Sequence, residues 1–336
     1  MIALSVLAMV TFMAGPALAV LGTNDAVPGT DVLAPFFFIE KASGLENTYI
    51  VITEVGGTAT TLNGNMYTTA SVSNKDWVET LTARECNPIN VKTIIDGLGT
   101  LIKATYEITV NDLTYYAGYI ELNQATVPAA YDNLIAWAYQ IDLANGRASA
   151  TPIPTLERAN YADIPGFATD VVLRTVNGTE KTNGREALTP NALAFSQDRM
   201  AGNAGTNLAL AYRMMTRFYY SETGGKNYLF LYSSSSMSAG SVHVKYWTEA
   251  ETEYSTTLPY TAELNVIDLS NYLDTAVTAG SIEFRWPQTG YTNNNVSNCR
   301  EQALLGYSYM QVDTTANGSW NMLVEMHRDA STTTTL

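Results

Sequence analysis

Phe36-Phe37-Phe38, a spacer holding Gly44, and Tyr49-Ile50-Val51-Ile52 return about 180 residues later as Phe218-Tyr219-Tyr220, Gly224-Gly225 and Tyr228-Leu229-Phe230-Leu231. Each copy is an aromatic triplet, a glycine turn and an apolar run, the pattern of two strands joined by a hairpin connection. More blocks follow in the same order. Ile89-Asn90-Val91-Lys92-Thr93-Ile94-Ile95-Asp96 lies beside Leu264-Asn265-Val266-Ile267-Asp268-Leu269. Ala117-Gly118-Tyr119-Ile120-Glu121-Leu122 falls beside Leu305-Gly306-Tyr307-Ser308-Tyr309-Met310, and residues 134–142 (LIAWAYQID) beside 322–329 (MLVEMHRD). Chance explains one block of alternating apolar residues, but not four in sequence. The expectation is an all-β chain of two tandem, internally duplicated β-sandwich-like domains with short helical turns.

The rest of the chain agrees. Period-2 alternation runs through residues 105–110 (TYEITV), 115–122 (YYAGYIEL), 170–176 (DVVLRTV), 241–247 (SVHVKYW) and 281–286 (SIEFRW). Asn63-Gly64-Asn65, Asn145-Gly146, Asn177-Gly178, Asn183-Gly184 and Asn317-Gly318 read as turns, because Asn-Gly supplies positive φ at low cost. Helix is expected only as a turn or two within residues 88–98 and 264–273. The resulting division is an export signal at 1–19, a first β-domain at 20–160, linker and polar insertion at 161–206, a second β-domain at 207–330, and a disordered tail at 331–336.

Composition removes whole classes of function. There are 32 acidic and 18 basic residues, a formal charge of −14, so no basic stripe exists to displace counterions from nucleic acid. Two His and two Cys cannot furnish zinc or multihaem ligand sets, and no cofactor is expected. A hydrophobic content of 46% argues against disorder.

Residues 1–19 (MIALSVLAMVTFMAGPALA) are apolar, break at Gly15-Pro16 and end in Ala17-Leu18-Ala19, the small-x-small pattern of a signal peptidase site. Cleavage there starts a mature chain at Val20 with no membrane span. A basic n-region is missing, and the alternative is a retained apolar helix. Residues 22–36 (GTNDAVPGTDVLAPF) then resemble the mature N-terminus of a group of secreted, β-rich Gram-negative proteins that open on Thr-Asn-Asp, Val-Pro and Leu-x-Pro-Phe. Gly118-Tyr119 opening a strand, and Tyr212-Arg213 ahead of a Gly-Gly turn, are similar too. The resemblance implies an exported, extracellular or cell-surface β-protein, with periplasmic export as the minimum. It implies no catalytic residue.

The residues themselves offer little chemistry. His243 shares the polar side of its strand with Lys245, and His327 shares a face with Glu325. Gly-x-Ser-x-Gly is absent around Ser308, as are HExxH and GxGxxG. Glu249, Glu251 and Glu253 fall on one face of an extended segment, the remaining route to a carboxylate-based hydrolase or a cation site. Asp25 and Asp31 lack the dense Asp/Asn alternation of a calcium loop. Trp137, Trp247, Trp286 and Trp320 are stacking candidates for a glycan, with burial in the core as the ordinary role of such residues. The sequons at Asn177, Asn295 and Asn317 read as turns.

What remains is a structural or cell-surface protein, with a carbohydrate- or surface-binding module as the alternative and a hydrolase as the second. Val32, Leu33, Phe36, Phe37, Phe38 and Ile39 form the most apolar segment after the signal, behind a Gly/Pro/Asp-rich arm. Pro35 interrupts backbone donation and so suits an edge strand. Such a strand has two destinies, pairing within its own domain or addition to a neighbour's sheet, which would make the chain a self-associating filament subunit. Cys86 and Cys299 lie in polar, turn-like contexts (RECNP, NCREQ), which in an exported chain favours an oxidised pair tying one repeat to the other. Pairing between subunits is the alternative. Intact-mass measurement after alkylation without reductant is expected to find no labelled thiol in the monomer. Two labels would exclude any bridge, and a covalent dimer would mean pairing between subunits.

Overall fold

The computed structural model describes residues 28, 31–125, 133–153, 155–156, 212–219, 225–233, 240–286, 304–314 and 318–330. Strands dominate. The first half holds β1 (Asp31–Glu40), β2 (Glu46–Glu54), β3 (Thr60–Thr68), β4 (Ser73–Leu81), β5 (Cys86–Asn90), β6 (Glu107–Val110), β7 (Leu113–Gln124), β8 (Leu134–Asp142), β9 (Arg147–Pro152) and β10 (Thr155–Leu156). The second holds β11 (Tyr212–Tyr219), β12 (Lys226–Ser233), β13 (Gly240–Thr248), β14 (Glu253–Tyr260), β15 (Leu264–Asp268), β16 (Ala279–Trp286), β17 (Leu304–Thr314), β18 (Gly318–Glu325) and β19 (His327–Ala330). Two short helices, α1 (Val91–Asp96) and α2 (Thr100–Ala104), follow β5, and a 3-10 turn, Leu269–Asn271, follows β15. The expected strand at 170–176 and the whole of the expected linker and insertion at 161–206 lie outside the described residues. The chain is all-β, and every strand pair is antiparallel.

The two halves have the same strand order. One sheet of the first half runs β10-β1-β7-β3-β4, with β6 also on β7, and its counterpart runs β19-β11-β16-β13-β14. The other runs β5-β2-β8-β9, and its counterpart β15-β12-β17-β18. The correspondence reaches single atoms. Thr68 and Thr248 each accept, through the side-chain hydroxyl, the N–H of the residue four positions on, at 3.1 and 3.3 Å. The third residue after each, Ser71 and Glu251, takes a φ of about +60° (63° and 59°). Asn90 caps α1 through Thr93 N–H, and Asp268 at the matching place caps the 3-10 turn through Ser270 N–H.

Strand order corrects the alignment of the last two repeat blocks. β7 occupies the place of β16 and β8 that of β17, so Ala117-Gly118-Tyr119-Ile120-Glu121 matches Ala279-Gly280-Ser281-Ile282-Glu283. Apolar alternation alone slid those blocks by one strand. Asn63-Gly64-Asn65 is a second correction, lying within β3 and not in a turn. Gly64 is there because the Trp77 ring crosses it; an added Cβ would sit 2.4 Å from that ring.

Side-chain faces order the sheets in four layers, of which the first and third also meet each other past the outer edge of β1, where β18 runs beside β9. Ile50 and Ile52 of the β5-β2-β8-β9 sheet, layer 1, pack in one core with layer 2, the sheet containing β1. Tyr228, Phe230 and Tyr232 of layer 3, the β15-β12-β17-β18 sheet, join that same core, while Leu229 and Leu231 on its reverse face belong to a second core with layer 4. β1 therefore has a sheet on each face. A strand buried on both faces reads as a continuous apolar run, and Asp31 to Ile39 are at most 1% exposed wherever a value applies. β1 pairs with β7 along its length and with β10 only at Asp31 and Val32, so past Val32 it is, among the described residues, the edge strand that Pro35 suggests, paired within its own half and buried on both faces. Pro35 lies where the register shifts between Ala34 and Phe37, a bulge that needs no donor from it.

Gly118 and Gly280 mark the tightest repeated spot. A Cβ on Gly118 would meet the Tyr67 carbonyl oxygen at 2.0 Å and the Phe37 ring at 2.8 Å; on Gly280 it would meet the Trp247 carbonyl oxygen at 1.9 Å and the Phe218 ring at 3.0 Å. Backbone cannot retreat without breaking the ladder. Gly118→Ala and Gly280→Ala are each expected to lower stability by about 1–3 kcal/mol or more, measured as a fall in the urea midpoint. An unchanged midpoint for either would refute this packing.

Candidate functional site

The most chemically loaded place among the described residues is the seam where the halves meet around β1. Past the short β10, no strand among the described residues pairs with the outer edge of β1, and its backbone groups turn to side chains. Thr48 Oγ1 accepts the Phe38 N–H at 2.8 Å, and Gln140 Nε2 donates to the Phe38 carbonyl at 2.9 Å. Thr48 and Gln140 stand on the inward faces of β2 and β8, in step with Ile50, Ile52 and Ala138. Glu46, two residues before Thr48, takes the same face. Its Oε1 accepts from Gln140 Nε2 at 3.4 Å and, across the seam, from Gln311 Nε2 at 3.1 Å. Gln311 and Asn321 also donate to the Tyr309 hydroxyl, at 2.9 and 3.2 Å. Next to this chain, Arg147 holds Asp142 at 2.7 Å in a buried ion pair and reaches the Val312 carbonyl at 3.5 Å.

Burial pushes the Glu46 carboxyl up to about 7, against the pull of Lys226 and of its hydrogen bonds to Tyr309 and Gln140. Asp142 is held below the usual carboxylate range: burial opposes ionisation, and bonds from Asn145 and Arg147 outweigh it. Glu54, at the β2 end far from the seam, is also held low. Burial is outweighed there by N–H bonds from Arg84, Thr58 and Gly57 and by the Asn133 amide.

Aromatic rings fill the rest of the seam. Phe36 stacks on Phe230 with centroids 4.5 Å apart and planes 5° apart, and tilts against Tyr307 at 5.2 Å. Phe38 lies 4.0 Å from Tyr115 and 5.1 Å from Tyr228, and Tyr119 meets Tyr232 edge-on at 5.0 Å. Offset and edge-on pairs of this kind each contribute about 0.5–1.5 kcal/mol beyond burial. Polar bridges fix the register: Tyr115 to Tyr228 through their hydroxyls at 3.3 Å, Tyr119 to Glu263 at 3.2 Å, and Asn111 to both Asp268 and Asn271.

The residues singled out from sequence fall as follows. Val32, Leu33, Phe36, Phe37, Phe38 and Ile39 are core. Cys86 is exposed and opens β5, and Cys299 lies outside the described residues. His243 is exposed, 3.3 Å from Thr257 Oγ1; the side chains of His327 and Trp286 and all of Asp25 lie outside the described residues. Glu249, Glu251 and Glu253 do not share an extended face, because the first two lie in the β13–β14 turn and Glu253, in β14, pairs with Lys245 at 2.6 Å. Asp31 is buried and accepts the Gln124 N–H at 3.0 Å. Trp137 and Trp247 are half-buried, and Trp320 is exposed. Ser308 is buried against Asn227 at 3.2 Å. Among the described residues no group of three His, Cys, Asp or Glu is placed to hold a metal ion, and no helix is long and apolar enough to cross a membrane.

Sequence reading missed the seam's polar set. The signal was present: Glu46 and Thr48 alternate in phase with Ile50 and Ile52, which puts an acid on an inward face.

No protein-family model and no curated protein matches this chain. Among solved structures, the crystal structure of Parabacteroides merdae β-glucuronidase with glycerol in its active site aligns with 83% of this chain and 25% of that one, at 10% identity and a TM-score of 0.14. The chain thus spans about a quarter of that enzyme, and a likeness so slight says nothing of fold or activity.

Glu46 makes the seam pH-dependent. Its proton leaves the unfolded chain near the ordinary 4.5 and the folded chain near 7, so between those values the folded state binds more protons and stability falls as pH rises. The full loss is about 3 kcal/mol above pH 7. Asp142 and Glu54 act oppositely and lose their contribution in acid. Glu46→Gln is expected to raise the melting temperature at pH 8 and change it little at pH 4.5; an equal effect at both would refute the assignment.

Proposed function

We propose that the chain is an exported structural β-protein of the cell surface, working through the faces of a rigid two-sandwich body, and that its halves descend from one ancestral unit. The observation that carries this reading is the same strand order, read twice and joined through an aromatic seam. The buried Glu46 carboxyl and the buried Asp142–Arg147 ion pair both lie at that joint. Export is supported by the cleavable pattern of residues 1–19 and by the resemblance of residues 22–36 to secreted β-rich chains. The Cys86–Cys299 bridge belongs to the same proposal.

Self-association by donating β1 is the weaker form of the idea. It would pull Phe36, Phe37 and Phe38 from a core in which each contributes about 1.5–3 kcal/mol. Assembly through an exposed sheet face has no such cost.

N-terminal sequencing of the protein recovered from outside the producing cell is expected to begin at Val20. Recovery only from the cytoplasm, with Met1 retained, would overturn export and with it the cell-surface role.

A further inference from the structure

Each sandwich has two outer sheet faces, and the repeat makes them comparable residue by residue. In the second half, the outer face of layer 3 carries Tyr228, Phe230 and Leu305, Tyr307 and Tyr309, and layer 2 covers it. Layer 1 is the same sheet in the first half. Tyr49 lies opposite Tyr139 as Tyr228 lies opposite Tyr309, and Val51 opposite Trp137 as Phe230 opposite Tyr307. The corresponding outer face, with Tyr49, Val51, Ile135, Trp137, Tyr139 and Pro152, is partly exposed, with β18 of the second half running beside its β9 edge.

That face carries no charge. Alternation along β2, β5, β8 and β9 sends only apolar residues, Tyr, Thr, Asn and Cys86 outward. In a chain of net charge −14 it is a place where two copies can meet without like-charge repulsion. The other outer face, on layer 4, is polar. Where layer 2 offers Phe36, Phe38 and Tyr119 to its partner sheet, the matching positions of layer 4 hold Arg217, Tyr219 and Ser281, beside the Lys245–Glu253 ion pair. Layers 2 and 3 cover each other. The only apolar sheet face that a second copy offers, among the described residues, is therefore its own layer 1.

We propose that two copies of this chain dimerise face to face through layer 1, with Trp137 and Tyr139 at the centre of a two-fold contact that repeats the chemistry of the internal seam. A flat, uncharged sheet face is self-complementary under a two-fold axis and closes at the dimer. This inference stands on the surfaces alone and holds whether or not the chain is exported.

The test is the mass of the full chain in solution across a concentration series, by light scattering and sedimentation. A dimer is expected, with Val51→Asp and Tyr139→Lys each weakening it by about tenfold or more and Tyr219→Asp on layer 4 leaving it intact. Circular dichroism and melting of each variant separate a lost interface from a lost fold, and Tyr139→Lys is the milder change because its long stem keeps covering the sheet. A wild-type chain that stays monomeric at every concentration overturns the proposal. So do open-ended polymers that Tyr219→Asp abolishes, which would mean layer 1 stacking on layer 4 of the next copy. Monomers whose Trp137 fluorescence shifts with added oligosaccharide would assign the face to glycan instead.

Discussion

Everything in this molecule is arranged around one strand that has water on neither face. β1 carries Phe36, Phe37 and Phe38 in succession, so consecutive rings point to opposite sides and both sides must be apolar. One sandwich can cover only one of those sides. The second half supplies the other cover, through Phe230, Tyr228 and Tyr307. The outer edge of β1 is then closed by Thr48 and Gln140, because a buried N–H or carbonyl without a partner costs about 1–3 kcal/mol.

That constraint explains where the two halves agree and where they differ. Gly118 and Gly280, and the Thr68 and Thr248 turns, answer to backbone geometry that each sandwich needs for itself. Phe36 and Phe38 answer to a neighbour. Their counterparts Arg217 and Tyr219 face no sheet among the described residues and are exposed, Tyr219 to 42%. Glu46 shows the limit of such a seam: its carboxyl bridges the halves through Gln311 but is driven to about 7 by the burial that the seam imposes.

Much of the architecture was legible because period-2 patterning reports which face of a strand is buried. The strands at residues 115–122, 134–141, 228–232 and 241–247 and the capped turns after β5 and β15 were all readable that way. Three features were not. Alternation has no direction or address, so Ala117 to Leu122 matched the wrong strand until sheet order put Ala279-Gly280 beside it. Asn63-Gly64-Asn65 looks like a turn because the reason for its glycine, the Trp77 ring, comes from another strand. An apolar run with a proline shows its place at a sheet edge but not its second cover, which lies nearly two hundred residues away. The polar seam was legible only in part: Glu46 has the phase of an inward residue, but its partner Gln311 belongs to the other half.

Hydrogen exchange resolved by peptide tests the central claim most directly. If β1 is the shared core strand, the amides of residues 33–40 that bond to β7 exchange only with global unfolding, as slowly as those of β7 and β12. Exchange of that segment within seconds, with β7 and β12 still protected, would show a strand free to leave its sheet and would contradict the account.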